Sequence, residues 1–418
     1  MHIFISGIGG TGLGPLAMIA LDAGHEVSGS DLKESAYSLE LKQRGVNVTY
    51  EQTRKNIEAE HLTNPIDWFV YTSALPEDAP ELLFAREKGI RTSKRDVFLS
   101  GFFKSKGLKL IAIAGTHGKT TTTALAVWVM QSLGLPISYA IGTDIPFGPA
   151  AKFDPKSEYF IYEADEYDRN FLGFSPDIAV IPSVDYDHPD IYPTREDYAT
   201  AFRQFIDQSR EIYMWSKDYK ELCIEYDENI TAFDHTPTRE EIDLLGQFMR
   251  ENAFLVQQVL AKVTRVNTKE IGEILSKFPG AGRRFEKLTE GVYSDYAHHP
   301  TEIKATIEKA LEINLDIVVA YQPHQNIRQH EIQRFYRDAF VGIKKLYWLS
   351  TYLTRENDLP VLTPTDLIRN LVNSDIASPA DFNDELFEKL LGARKAGYLV
   401  LVLGAGSIDD WVHKKLDV

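Results

Sequence analysis

The segment AGTHGKTTTT, residues 114–123, places glycine, lysine and threonine directly after the apolar run LKLIAI. Backbone amides of such a loop can hold phosphate oxygens, the lysine can reach the terminal phosphates, and a hydroxyl can bind Mg²⁺. The strict P-loop pattern is not met, because Ile113 stands where its first glycine belongs. A threonine-rich helix start without a phosphate is the alternative. The order strand, GTHGKT, helix favours a phosphate site.

A second glycine-rich segment, GIGGTGLG at residues 7–14, follows the predicted strand HIFIS and precedes a helical stretch. Glycine allows tight turns and close backbone approach, and a helix N-terminus attracts anions. Asp31 ends the next predicted strand, where a carboxylate can accept a ribose hydroxyl. A nucleotide, a dinucleotide or a simple turn all remain open here. Two phosphate loops indicate two phosphorylated substrates, one of them ATP, whereas a dehydrogenase or a nucleotide sensor needs only the first loop.

Composition narrows the class of protein. The chain has 418 residues, which predicts two or three domains. Its net charge of -16 argues against a nucleic-acid partner or an anionic membrane surface. The single cysteine, Cys223, suits a reducing compartment. The N-terminus lacks the positive region of a signal peptide, and no apolar run is long enough to span a membrane. We therefore expect a cytoplasmic enzyme without membrane insertion, of open oligomeric state.

Short apolar runs alternate with helical stretches along the whole chain, which predicts an α/β fold built from βαβ units. The polar linker KSKG and the glycine-rich stretch FPGAGRRFE mark two boundaries. We expect three domains, at residues 1–107, 108–281 and 282–418. Both glycine loops follow strands, at the edge where open α/β sheets bind ligands.

The motifs GIGGTGLG, GTHGKTTTT, EADEYD, DYDHPD, GRRFE, DYAHHPTEI, QPH and LGAGSI occur in this order. In this the chain resembles the Mur ligase family, ATP-dependent enzymes that add amino acids to UDP-N-acetylmuramic acid in peptidoglycan precursor synthesis and cell wall biogenesis. The resemblance implies a Rossmann-like N-terminal domain for the UDP-sugar, a P-loop ATPase-like central domain for ATP, and a Rossmann-like C-terminal domain for the amino acid. It also implies the reaction, in which ATP phosphorylates a carboxylate and an amine displaces the phosphate, leaving ADP.

The resemblance assigns roles to three groups of residues. The expected UDP-sugar contacts are Gly7, Gly9, Gly10, Gly12, Asp31 and Ser73. The expected ATP contacts are Gly115, Thr116, His117, Gly118, Lys119, Thr120, Thr121, Asn252, Arg284 and Asp295. The residues expected near the amino acid are Tyr296, His298, His324 and Arg328, of which Arg328 can pair with a carboxylate bidentately.

Chemistry and metal binding are expected at few positions. The resemblance makes Lys119, Glu163 and His188 catalytic, with Thr120, Glu163 and His188 as ligands of Mg²⁺. A histidine ligand is less expected for magnesium, which prefers oxygen. The other acidic residues of the same two loops are expected to be exposed carboxylates without a role, namely Asp165, Glu166, Asp168, Asp185 and Asp187.

Three further features concern the branch of the family. Phe202 occupies the position of a metal-supporting lysine found in several branches, and the alanine-adding and tripeptide-recycling branches also lack that lysine. Phe248 and Met249 replace a His-Asn pair near the adenine, and Gln325 replaces an arginine beside His324. We expect L-alanine as the acceptor. The alternative is a recycling ligase that joins a preformed L-alanyl tripeptide to UDP-N-acetylmuramate.

Overall fold

The structure is a computed structural model, and it describes residues 1–72, 74–225, 227–354 and 358–417. Its contacts divide the chain into two compact units. The first unit comprises Met1–Val184 and Ala199–Asp234, and the second comprises Asp185–Tyr198 and His235–Val418. Three β-sheets lie in these units, which confirms the predicted α/β class. The domain bounds at residues 107 and 281 stay a prediction, because the first two sheets belong to the same unit.

The first sheet is entirely parallel, with strand order β3-β2-β1-β4-β5. Its strands are β1 (His2–Ser6), β2 (Glu26–Ser30), β3 (Asn47–Thr49), β4 (Trp68–Tyr71) and β5 (Arg91–Lys94). Its helices are α1 (Gly14–Asp22), α2 (Ala36–Gln43), α3 (Arg54–Thr63), α4 (Pro80–Glu87) and α5 (Arg95–Lys106). The order reverses between β1 and β4. This reversal places the crevice of a Rossmann-type sheet at their carboxyl ends, where GIGGTGLG begins.

The second sheet has the order β12-β11-β10-β6-β9-β7-β8, and β8 alone is antiparallel to its neighbour. Its strands are β6 (Lys109–Ile113), β7 (Ser138–Ala140), β8 (Ala151–Lys152), β9 (Tyr159–Glu163), β10 (Ile178–Ile181), β11 (Ile212–Trp215) and β12 (Ile230–Phe233). Its helices are α6 (Lys119–Ser132), α7 (Arg195–Asp207) and α8 (Ser216–Glu221), with a 3₁₀ segment at Tyr167–Gly173. Strands β9 and β10 lie on opposite sides of β6, and the chain crosses from one side to the other between them. The crevice of this sheet therefore lies at the carboxyl end of β6, where GTHGKT begins.

The third sheet has the order β13-β14-β18-β15-β16-β17, with β13 antiparallel to β14. Its strands are β13 (Glu286–Thr289), β14 (Val292–Asp295), β15 (Ile317–Tyr321), β16 (Lys345–Trp348), β17 (Ala377–Pro379) and β18 (Leu399–Leu403). The second unit also contains α9 (Gln247–Thr264), α10 (Thr268–Leu275), α11 (Pro300–Leu311), α12 (Asn326–Ile332), α13 (Pro364–Ile368), α14 (Asp384–Lys395) and α15 (Ile408–Leu416), and 3₁₀ segments at Gln333–Asp338 and Ser374–Ile376.

The central strands are buried on both faces of their sheets, and their sequences are accordingly almost entirely apolar. The segments HIFIS in β1 and LVLVL in β18 are buried at every residue, as expected for parallel strands between layers of helices. A Cβ on Gly29 of β2 would lie 2.3 Å from the Ile5 carbonyl oxygen, so this position requires glycine. Among the described residues, no helix is both long and apolar enough to cross a lipid bilayer.

Helix α5 joins the first two sheets. Its Phe102 packs edge-on against Phe153, with ring centroids 5.3 Å apart, and its Phe103 lies 4.6 Å from the ring of Phe160 in β9. The Phe153 amide also donates to Asp22 of α1, at 3.0 Å. These contacts place the two glycine-rich loops within one compact unit.

Candidate active site

The first glycine loop, residues 7–14, is hydrogen-bonded to the end of strand β2 and to the residue that follows it. Gly7 has a φ of +90°, and the amides of Gly7 and Ile8 donate to the Ser30 carbonyl oxygen at 2.7 and 3.0 Å. The Gly9 amide donates to Oδ2 of Asp31 at 2.8 Å. The structure therefore brings the predicted aspartate against the loop. Of the other predicted sugar contacts, Gly10 and Gly12 lie in this loop, and Ser73 lies outside the described residues.

The phosphate loop, which is GTHGKT at residues 115–120, is hydrogen-bonded to the segment that follows β10. The Thr116 amide donates to the Ser183 carbonyl oxygen at 3.0 Å, and the His117 amide donates to Ser183 Oγ at 2.9 Å. Gly118 has a φ of +82° and caps α6, so the chain turns sharply into the helix at a position that favours glycine. The remaining predicted residue of the loop, Thr121, is buried in the first turn of that helix.

Lys119 is paired within the loop. Its Nζ donates to the Gly115 carbonyl oxygen at 2.6 Å and to that of Thr116 at 3.2 Å, and lies 2.7 Å from Oε2 of Glu166. Burial alone would lower the pKa of Lys119, but the carboxylates of Glu166 and Asp165 raise it above its usual value. The side chain is therefore an ammonium ion at neutral pH. The expectation of an exposed Glu166 is wrong, because its side chain is 1% exposed.

Two of the expected metal ligands meet in the first unit. Thr120 Oγ1 donates to Oε1 of Glu163 at 2.7 Å, and the Gly142 amide donates to Oε2 of Glu163 at 2.8 Å. The side chains of Thr120 and Glu163 offer oxygen atoms, the ligand type that magnesium prefers, so both residues fit this ion. The third expected ligand, His188, belongs to the second unit, where its Nε2 lies 3.8 Å from Oδ2 of Asp187.

Arg95, which the sequence analysis did not single out, lies between the two loops. Its Nη1 is 3.1 Å from the place that a Cβ on Gly12 would take. Tyr162, Asp165 and Glu163 of the second sheet act on the same guanidinium and raise its pKa. Arg95 therefore connects the first glycine loop with the carboxylates beside the phosphate loop. A single arginine outside any motif gives no signal in the sequence.

Tyr37 of α2 makes a similar connection. A Cβ on Gly14 would lie only 2.6 Å from Cγ of the Tyr37 ring, so the ring packs directly on this glycine. Burial raises the pKa of Tyr37 to about 12, with further contributions from the carboxylates of Asp144 and Glu163. The hydroxyl of Tyr37 therefore stays protonated and can serve as a hydrogen-bond donor near Glu163.

The residues expected near the amino acid come together in the second unit. The ring centroids of Tyr296 and His298 are 5.5 Å apart, and those of His298 and His324 are 5.9 Å apart. Arg328 Nη1 lies 3.4 Å from His324 Nδ1. Tyr296 and His298 follow β14, and His324 and Arg328 follow β15. These parallel strands flank β18, so their carboxyl ends lie at the same edge of the sheet, which accounts for the cluster.

Asp187 pairs with Arg328 through two contacts. Arg328 Nε donates to Oδ1 at 3.1 Å, and Nη2 donates to Oδ2 at 3.3 Å. Burial would raise the pKa of Asp187, but the charge of Arg328 holds it well below its usual range. The expectation of an exposed Asp187 is wrong, since its side chain is only 7% exposed. The bidentate pairing expected for a substrate carboxylate is made here by Asp187.

His298 is a neutral imidazole at physiological pH. Burial lowers its pKa to about 3, Glu302 acts in the opposite direction, and Arg328 lowers it further. Its Nδ1 lies 3.3 Å from the Tyr296 carbonyl oxygen and from a carboxylate oxygen of Glu302.

Replacing His298 by glutamine is expected to make folding less sensitive to acid. The pKa of His298 is lower in the folded chain than in the unfolded chain, so stability is lost as the pH falls from about 6.5 toward 3, by up to about 1.4 kcal/mol per pH unit. Between pH 7 and pH 5 the free energy of unfolding, measured by urea denaturation, should therefore fall by about 2 kcal/mol less in the variant.

His235→Gln is the matched control, because His235 is 44% exposed and pairs with Glu241 at the surface. It should respond to acid as the unaltered chain does. An equal loss of stability in His298→Gln and in the unaltered chain would contradict a neutral His298.

Three residues of the second unit are predicted to contact the nucleotide, and the structure describes all three. Asp295 is 8% exposed and accepts the amides of Phe285 and Ala297, at 2.7 and 2.8 Å. Burial raises its pKa. The Arg284 guanidinium lies 5.0 Å from the centre of the Tyr296 ring, and Asn252 is buried in α9.

The sequence departures at Phe248, Met249 and Gln325 lie in the second unit. Phe248 and Met249 lie in the first turn of α9. The next residue, Arg250, is buried and pairs with Glu312 at 3.2 Å. Gln325 has a φ of +62°, and its amide donates to the Tyr352 carbonyl oxygen at 2.9 Å.

Comparison with known proteins gives matches to two models of one family. Residues 2–106 match the catalytic domain of the Mur ligase family, and residues 113–229 match the Mur ligase middle domain. The UDP-N-acetylmuramate–L-alanine ligase of Carboxydothermus hydrogenoformans is 32% identical over 449 residues, covering 98% of this chain and 95% of that protein. The chain belongs to the Mur ligase family. The predicted family membership is thereby confirmed.

Two solved Mur ligase structures share the fold. The UDP-N-acetylmuramate–alanine ligase of Thermotoga maritima superposes with a TM-score of 0.78 at 22% identity, covering 100% of this chain and 98% of that one. A murein peptide ligase from Psychrobacter arcticus gives a TM-score of 0.65 at 21% identity, with the same coverage. The three-domain architecture expected for a Mur ligase is thus supported by structures of the same fold.

Proposed function

We propose that this Mur ligase joins L-alanine to UDP-N-acetylmuramate with hydrolysis of ATP to ADP and phosphate. The observation that supports this most is the placement of two phosphate-type loops in one compact unit, connected by Arg95 and Tyr37. A dehydrogenase or a sensor would have no use for the second loop with Lys119, Thr120 and Glu163. The names of the relatives at about 30% identity favour alanine over the tripeptide.

In this proposal the first glycine loop binds the diphosphate of the UDP-sugar, and Asp31 accepts a hydroxyl of its ribose. A glycine-rich turn that leads into a helix N-terminus suits the diphosphate. The Arg95 guanidinium lies against Gly12 and near the carboxylates of the second sheet, so it can attract the sugar's carboxylate toward the phosphate loop.

The phosphate loop binds the triphosphate of ATP. Lys119 exchanges Glu166 for the terminal phosphate and compensates the charge that develops on its oxygens during transfer. Thr120 and Glu163 would hold a magnesium ion, for which His188 stays a predicted ligand, and the ion would supply positive charge to the phosphates. Asp295, Arg284 and Asn252 bind the nucleoside.

The resulting acyl phosphate is an activated carboxylate, which the amine of alanine attacks with release of phosphate. We place the alanine beside Tyr296, His298, His324 and Arg328. Asp187 takes the Nε–H and one N–H of Nη2 of Arg328, so we place the substrate carboxylate at Nη1, which lies beside His324. His298 is neutral and contributes hydrogen bonds without charge. We place the reaction in the cytoplasm, where ATP and nucleotide sugars are available.

The proposal is tested by inorganic phosphate release with ATP, Mg²⁺ and UDP-N-acetylmuramate. L-alanine, glycine, L-serine and an L-alanyl tripeptide are supplied one at a time, and product is identified by mass. Release should require L-alanine, should yield the alanyl product, and should be lost in Lys119→Ala. Release with the tripeptide alone would replace the proposal by the recycling reaction. No release with any acceptor would reject both.

A further inference from the structure

A buried carboxyl lies beneath the first glycine loop. Glu81, in the first turn of α4, is fully buried. Its Oε2 accepts hydrogen bonds from the hydroxyls of Ser6 and Ser30, each at 2.7 Å. Ser6 is the last residue of β1 and Ser30 the last residue of β2. One carboxyl oxygen therefore holds together the two strand ends from which the predicted sugar contacts emerge.

These bonds continue into the loop itself. Ser6 precedes Gly7, and the Ser30 carbonyl oxygen accepts the amides of Gly7 and Ile8. Ser30 also precedes Asp31, which accepts the Gly9 amide. Glu81 thus contacts the loop through Ser6 and Ser30. The side chain of each serine is hydrogen-bonded to Glu81, and the backbone of each leads into the loop or accepts its amides. The positions of the loop amides depend on that support.

The second oxygen of Glu81 has no such support. Among the described residues, Oε1 is buried without a hydrogen-bond partner. Only the two serine hydroxyls act against the effect of burial, which raises the pKa of Glu81 to about 6. A half-satisfied carboxyl costs stability at such a site, whereas an apolar side chain would not. This cost indicates that the carboxyl is kept for what it does to Ser6 and Ser30.

We propose that Glu81 is a positioning residue for the nucleotide sugar: by accepting both serine hydroxyls it holds the first glycine loop in the conformation that binds the diphosphate. The inference rests on the proposed function, because it takes UDP-N-acetylmuramate as the ligand of this loop. It predicts that changes at Glu81 alter binding at the first loop and leave the phosphate loop unaffected.

The test is calorimetric titration of the whole chain with UDP-N-acetylmuramate and, separately, with Mg²⁺-ATP. Glu81→Leu removes the acceptor of both serine hydroxyls at similar volume, and the loss of two hydrogen bonds that position the loop corresponds to about a tenfold change in an equilibrium constant. We expect about tenfold weaker binding of the sugar nucleotide, with ATP affinity within about twofold. Glu81→Gln keeps an acceptor oxygen and should bind the sugar nucleotide nearly as the unaltered chain does.

Ser30→Ala provides a second variant that retains Glu81 and removes one hydroxyl. It should weaken sugar-nucleotide binding about threefold in the unaltered chain and have no further effect in the Glu81→Leu background, because both act through the same contact. Equal affinity of Glu81→Leu and the unaltered chain, or a parallel loss for ATP, would overturn the role of Glu81. An unaltered chain that binds ATP but no UDP-N-acetylmuramate would instead overturn the proposed function, and this ligand with it.

Discussion

Lys119→Ala is expected to lower kcat for phosphate release about 10³-fold, because one preorganised donor to a developing charge contributes about that much. Lys119 is the cation of the phosphate loop, and it remains charged at neutral pH because Glu166 and Asp165 raise its pKa. The KM for L-alanine should change little, since we place the alanine contacts at other residues. Steady-state kinetics with saturating UDP-N-acetylmuramate measures both constants.

The substitution also removes the partner of a buried carboxylate, so loss of activity must be separated from loss of structure. Lys119→Ala combined with Glu166→Gln is the matched control, because glutamine removes the unpaired charge. The double variant should regain thermal stability and remain inactive. A recovery of activity in the double variant, or a kcat within tenfold of the unaltered chain in Lys119→Ala, would contradict a direct role of Lys119.

Arg328→Met is expected to destabilise the second unit by about 3–5 kcal/mol, because it leaves the buried Asp187 charge without its partner. Both side chains are less than 10% exposed, and the remaining histidines cannot replace a bidentate guanidinium. Urea denaturation at pH 7 measures the change in the free energy of unfolding. The loss should shrink as the pH is lowered and Asp187 takes up a proton.

Replacing both partners, with Asp187→Asn and Arg328→Met together, should cost clearly less than Arg328→Met alone, since no buried charge is left unpaired. Arg239→Met is the control at the surface, where the pair with Asp243 is more than half exposed and little change is expected. Additive effects of Asp187→Asn and Arg328→Met would contradict the pairing as the source of the loss.

The sequence predicts those parts of the site that depend on chain order. GIGGTGLG and GTHGKT follow strands and open helices, and these local signals suffice to place Lys119 and Thr120 at the start of α6. Glu163 ends β9, next to β6, so its contact with Thr120 follows from the parallel sheet. The neighbouring ends of strands β14, β18 and β15 likewise explain the cluster of Tyr296 and His324.

Other features have no local signal. Glu81, Glu166 and Asp187 are acidic residues of ordinary appearance, and only their tertiary neighbours show that they are buried and hydrogen-bonded or paired. The linker KSKG indicates a boundary, but α5 runs through it to Lys106. The aromatic residues of that helix pack on the second sheet and join two predicted domains in one compact unit. Composition cannot distinguish a linker from the end of a packed helix.

The contact between Lys119 and Glu166 has a consequence for ligand selection. The Lys119 ammonium is already paired with the Glu166 carboxylate. Nucleotide binding therefore replaces that carboxylate by a phosphate, and does not add an anion to an unpaired lysine. A triphosphate can compensate for the displaced carboxylate through many loop amides at once. Inorganic phosphate, which forms fewer contacts, competes poorly with a tethered carboxylate whose effective concentration is high. We therefore expect inorganic phosphate, including the phosphate released in the reaction, to inhibit the enzyme only weakly.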